Sequence, residues 1–214
     1  MSKSALIFWG GWDGHTPERS ATIVKAMLER SNFAVRLEAG TKVLAEAELG
    51  NFDLIVPVVT MTTIEKPELK ALLQAVRDGT GLAGFHGSMC DSFRQEPDYQ
   101  FMTGGQWVAH PGNIIDYRVD IAKQSDPVMK GIESFAYRSE QYYMHVDPSN
   151  EVLATTTFTD EHFAGIGGVV MPVVWKRRYG KARVFYSALG HMADEFEVPQ
   201  MATIFERGAL WAAR

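Results

Sequence analysis

Gly81-Leu82-Ala83-Gly84-Phe85-His86-Gly87-Ser88 is a short apolar run that closes on glycine, histidine and glycine. A continuous apolar stretch of this length reads as a buried parallel strand. Its end has the outline of a nucleophile elbow, a sharp strand-to-helix turn that lifts its central residue above the sheet edge. That residue is His86, which cannot form a thioester. The chain has one cysteine, Cys90, four positions further on and so a helical turn from the apex. It reads as a small buried hydrophobe, and no intramolecular disulfide can form.

Working towards the amino terminus, the same grammar repeats. Leu54–Val59 is another buried run, and its internal Pro57 predicts that hydrogen bonding stops near Val56. A helix follows from Pro67, with Leu69, Leu72, Leu73 and Val76 on one face and Gly79 at its end. Phe33–Leu37 is a partly alternating strand. Ala5-Leu6-Ile7-Phe8 is a first buried strand that ends in Gly10-Gly11. Thr16-Pro17 then opens a helix, the hydroxyl as N-cap and proline at the first helical position. Strand-helix-strand units of this kind imply right-handed crossovers and an α/β fold with a doubly wound, mostly parallel sheet.

Towards the carboxyl terminus the pattern loosens from Ser88 to about Gly131, which reads as functional loop with one strand at Tyr117–Ile121. Strands follow near Glu151–Phe158, Val169–Trp175 and Ala182–Leu189, and a closing helix runs from Pro199 to Ala212. Lys176, Arg177, Arg178, Lys181 and Arg183 bracket Tyr179-Gly180 and read as a solvated hairpin turn. No composition break divides residues 1–214, which read as one domain.

Charge and hydropathy exclude several classes. The net charge is −5, with acids and bases interleaved, so nucleic acid is not an expected partner. Hydrophobic residues make up 46% and charged residues 22%, ordinary for a globular chain. The apolar run after Ser4 is too short for a signal-peptide core, and no run approaches the ~20 residues a membrane helix needs. A cytoplasmic protein is expected.

The chemistry is concentrated in the histidines. His15 follows the first strand, His86 ends the fourth and His191 ends the last. Ligands of doubly wound sheets bind beyond the carboxyl ends of the strands. Three imidazoles can therefore face one crevice, and His110 and His145 lie in stretches able to fold over the same edge. His162 is left out. Glu140 sits beside Gln141 and Tyr142 and reads equally as a site acid or a surface acid. Asp194 reads as a helix N-terminal charge or as a partner that orients His191.

The segment Gly81–Gly87, Gly104-Gly105-Gln106 with His110-Pro111, and Glu140-x-Tyr142 form an ordered set. It continues with Pro172–Trp175, Tyr179–Tyr186 and Leu189-Gly190-His191. Together they resemble the ThuA-like trehalose-utilisation family. The resemblance implies a flavodoxin-like core of the class I glutamine amidotransferase type. In amidotransferases of that shape the elbow carries cysteine, so His86 argues against amidotransferase activity. The resemblance also implies a role in using trehalose or related disaccharides, through 3-keto glycosides made by a partner dehydrogenase.

The residues suit a keto-sugar. Its carbonyl makes neighbouring protons acidic, and moving one needs a base near neutrality and a donor to the developing oxyanion. His86, His191, His145 and Glu140 are the candidates for that work. His15, His110, Trp12, Gly105, Tyr142 and Asp194 are candidates for holding the sugar. A divalent metal such as zinc or manganese, held among His86, His110, His145 and His191, could polarise the carbonyl instead. Three readings stay open: isomerisation or epimerisation of the keto-sugar, cleavage of a keto-glycoside, and sugar binding without turnover. A homo-oligomer is compatible with the composition, and no pattern points to an interface.

Overall fold

Among residues 2–214, which the computed structural model describes, eleven strands form one nine-stranded and one two-stranded sheet, joined by six α-helices. β1 (Lys3–Gly11), β2 (Phe33–Ala39), β3 (Leu54–Thr60), β4 (Gly81–Phe85) and β11 (Ala182–Ser187) form a parallel core in the order β2-β1-β3-β4-β11. Ala5–Phe8 and Leu54–Val56 have no solvent exposure. That is why these strands read as unbroken apolar runs rather than as alternation.

Helices cover both faces of this core. α1 (Pro17–Arg30) packs on β1 and β2, and α6 (Pro199–Ala212) on β4 and β11. α3 (Lys66–Asp78) contacts α5 (Pro97–Thr103) and the small α2 (Val43–Glu46), while α4 (Gly87–Cys90) rests on β3.

Beyond β11 the sheet continues antiparallel, through β10 (Val170–Tyr179), β9 (Glu151–Thr157), β6 (Ile114–Ile121) and β7 (Phe135–Glu140). β6 pairs with β9 only at Asp120 and Ile121, and with β7 along Ile114–Val119. The β6–β7 ribbon thus peels away from the sheet after two pairs, and its far end is free to fold over the strand ends. A separate two-stranded sheet joins β5 (Gly105–Ala109) to β8 (Tyr143–Val146).

Three sequence expectations are corrected. β3 does not stop at Val56; it pairs with β1 as far as Thr60, with Pro57 opposite Phe8. β4 pairs with β3 only at Leu54 and Ile55, so from Val56 on that edge requires no ladder donor and admits proline. Thr16 is not an N-cap through its hydroxyl, which instead accepts from the Ala193 backbone N–H at 3.0 Å.

The basic turn is not wholly solvated either. Lys176 is buried, with Nζ 2.6 Å from both carboxylate oxygens of Asp126 and 4.5 Å above the Trp211 ring. A buried ammonium needs such a partner. Among the described residues no helix is long and apolar enough to cross a membrane.

Candidate functional site

Four side chains from four different connections meet at the carboxyl edge of the parallel core. His15 ends a short 3-10 turn after β1, and its Nδ1 lies 2.9 Å from the Thr60 hydroxyl at the end of β3. His86 sits between β4 and α4 at φ 46°, ψ −143°, a conformation rarely open to a residue with a side chain. His191 follows β11. Their ring centroids lie 4.8 Å (15 to 191), 5.0 Å (15 to 86) and 5.2 Å (86 to 191) apart.

Glu140, the last residue of β7, enters this triangle. Its Oε2 is 3.1 Å from His86 Nε2 and 3.4 Å from His191 Nδ1, and its Oε1 is 3.6 Å from His110 Nε2. His15, His86, Glu140 and His191 are all under 9% exposed. Burial alone would raise the Glu140 carboxyl. The His86 hydrogen bond and the surrounding imidazoles outweigh it and hold the group at about 2. Burial, reinforced by His86 and His191, holds His15 down at about 3, and burial likewise lowers His191.

The tautomer of His86 can be argued from its partners. Nδ1 is 2.9 Å from the Ala188 carbonyl, which can only accept, so Nδ1 carries a proton. In a neutral imidazole Nε2 then presents a lone pair to the Glu140 carboxylate, another acceptor. That side of the ring requires a cation, either a second proton or a metal. His191 Nδ1, buried beside the same carboxylate, has no hydrogen-bond partner. One nitrogen or oxygen from each of His15, His86, Glu140 and His191 lies within 4.8 Å of the others, so this donor set fits a divalent cation.

A cavity of about 470 Å³ opens over the cluster, with His15, Glu140 and His110 exposed to it and Trp12, Trp107 and Tyr142 among its walls. Tyr142 stacks on His86 with centroids 3.9 Å apart. Trp12 stands 48% exposed at the mouth, its ring 4.9 Å from that of His15.

Three expected members lie elsewhere. His145 is not part of the site: β8 alternates, so Met144 turns inward and His145 outward, into a shallow hollow beside α5. Gly105 borders that same hollow and packs under the Trp175 ring. Asp194 pairs with Arg19 at 2.6 Å on the surface and does not orient His191.

The residue that holds the His191 loop is its neighbour Glu195. It accepts from the backbone N–H groups of Gly190 (3.2 Å) and His191 (3.0 Å), from the Ser139 hydroxyl (2.7 Å) and from the Tyr137 hydroxyl. Asp91 was also missed. It lines the cavity, pairs with Arg94 at 2.9 Å, and is raised by burial. Its position after Cys90 carried no signal beyond a polar residue in a loop. Cys90 is buried, and burial pushes its thiol far above the ordinary range, away from nucleophilic chemistry.

The model of the ThuA family, described as trehalose utilisation, matches residues 4–212. The chain belongs to the ThuA family. Among solved structures, a ThuA-like protein from Parabacteroides merdae superposes with a TM-score of 0.78 at 20% identity, over 99% of this chain and 89% of that one. One from Bacteroides uniformis gives 0.77 at 20% identity, over 97% and 89%. A β-galactosidase from Bacillus circulans sp. alkalophilus gives 0.61 at 14% identity, over 96% of this ThuA chain and 31% of the larger enzyme. At these identities the likeness establishes the fold alone. No curated protein matches the sequence.

Proposed function

We propose that this ThuA protein acts on a keto-sugar formed from trehalose or a related disaccharide, and that it moves a proton on the carbon next to the carbonyl. The observation that carries the reading is the Glu140 carboxylate, buried and ringed by His86, His191 and His110 at the floor of an aromatic-walled cavity. A cavity of about 470 Å³ lies within the range of roughly 300–1,000 Å³ usual for small-molecule sites.

Proton transfer needs a base that meets the substrate. His86 has both ring nitrogens engaged and is covered by Tyr142, so it serves as a fixed positioning group. His110 is different. Its side chain is 28% exposed, it borders the cavity, and Nε2 faces Glu140 Oε1. His110 accepts the proton and becomes an imidazolium facing that carboxylate. The C–H bond breaks, its electron pair becomes the enediolate, and the imidazolium left on His110 stabilises the oxyanion. Return of the proton to the neighbouring carbon gives an isomer of unchanged mass, and return to the opposite face gives an epimer. Trp12 and Trp107 offer flat apolar faces for sugar rings.

The test is turnover of a 3-keto disaccharide by wild type, His110→Ala and Glu140→Gln, with products separated by mass. An intact isomer from wild type, and losses of roughly 10²–10⁴-fold in kcat for the variants, are expected. Release of a free monosaccharide would overturn isomerisation in favour of elimination. Wild-type rates in both variants would overturn the site.

A further inference from the structure

We propose that His15, His86, Glu140 and His191 form a binding site for one divalent first-row cation. His145 and His110, which looked equally eligible in sequence, are not among its ligands.

A proton alone leaves this cluster unsatisfied. A second proton on His86 would reconcile Nε2 with Glu140, but it serves that one contact. His191 Nδ1, 3.4 Å from the same oxygen and buried, would still have no hydrogen-bond partner. A buried polar nitrogen left without a partner has lost its hydration with nothing in return. A single cation near Glu140 Oε2 satisfies His86, His191 and the carboxylate together.

The spacing agrees. With metal–ligand bonds of about 2.1 Å, neighbouring donors around one ion lie about 3.0–3.4 Å apart and opposed donors about 4.2 Å apart. Glu140 Oε2 stands 3.1 Å from His86 Nε2 and 3.4 Å from His191 Nδ1, the separations of neighbouring ligands. No two donors in the set of four lie more than 4.8 Å apart, at most about 0.6 Å beyond an opposed pair. Three imidazoles and one carboxylate suit zinc, manganese or ferrous iron better than magnesium or calcium, which prefer all-oxygen shells.

The outer partners are also those of ligating histidines. A metal-bound imidazole almost always passes its other ring nitrogen to a carbonyl, carboxylate or hydroxyl. His86 Nδ1 donates to the Ala188 carbonyl, and His15 Nδ1 meets the Thr60 hydroxyl, both at 2.9 Å. Among the described residues these four are the one group of histidine, cysteine and carboxylate side chains assembled closely enough to share an ion.

The assignment stands on side-chain geometry. The cation's role, drawing the sugar's carbonyl oxygen to the cavity floor, rests on the keto-sugar reading above. The two separate experimentally, because metal content needs no substrate.

Protein purified without a polyhistidine tag or chelator is assayed for metals by plasma mass spectrometry. It is then stripped with chelator and titrated with zinc and manganese chlorides while its melting temperature is followed. Near one equivalent per chain, or saturable binding that raises the melting temperature, is expected. Glu140→Gln and His191→Ala should each weaken binding at least tenfold, whereas His145→Ala should bind as wild type does. No metal as purified and no saturable binding by the stripped, folded protein would overturn the site. So would wild-type affinity in both Glu140→Gln and His191→Ala. Metal bound without keto-sugar turnover would leave the site standing and remove the proposed reaction.

Discussion

A β-carbon on Gly87 would lie 2.6 Å from Cε1 of His15 and 2.9 Å from Cγ2 of Thr60, closer than real side-chain contacts come. Glycine here is what lets the imidazole after β1 approach the turn after β4. Gly87→Ala should therefore push His15 out of the cluster. The added methyl group is expected to cost about 1–3 kcal/mol, as overpacking does, and to lower keto-sugar turnover at least tenfold in protein that still folds. Denaturant melts and steady-state assays check both halves; wild-type turnover would show that His15 is not needed. At this scale the sequence was most informative for His15, His86 and His191. A doubly wound sheet brings strand ends to one edge, so three histidines at three strand ends are close by topology. Glu140 and His145 could not be sorted in that way. Which face of a four-residue strand such as β8 turns inward is decided by packing, and Met144 rather than His145 fills the inner space.

Between elements, the decisive feature is how Glu140 reaches the core. In strand order β7 is five places from β4, which in a flat sheet would put them about 24 Å apart. Because β6 leaves β9 after two pairs, the β6–β7 ribbon turns back and Glu140 arrives 3.1 Å from His86. Nothing in the local sequence marks that departure, so β6 read as a lone strand at Tyr117–Ile121 and β7 was not anticipated. Glu195 ties this ribbon, through Tyr137 and Ser139, to the turn that carries His191. Glu195→Ala should leave those donors without an acceptor. We expect about 2–3 kcal/mol of lost stability and weaker turnover, with Glu195→Gln recovering part of each. Unchanged melts in the alanine variant would show that the two elements are held by packing alone. Lys176 teaches the same limit: its charge marked it as surface, and only the approach of Asp126 and Trp211 makes a buried ammonium tolerable.

For the whole molecule, the parallel half was legible because each buried strand is an unbroken apolar run between glycine or proline punctuation. The antiparallel half was only partly so, since β5, β7 and β8 are short and mix polar with apolar positions. The ThuA family assignment and the fold agree on an α/β scaffold. On that scaffold the turn after β4 presents His86, beside a carboxylate and two further imidazoles. In the reading proposed above, His110, set against the Glu140 carboxylate of that cluster, removes a proton next to a sugar carbonyl. That reading is tested most directly by incubating a 3-keto disaccharide with the protein in deuterium oxide and following the carbon-bound protons by nuclear magnetic resonance. Enzyme-dependent loss of the proton next to the carbonyl is expected, slowed at least a hundredfold in Glu140→Gln. A carbon-bound proton that exchanges no faster with wild type than in buffer alone would contradict it.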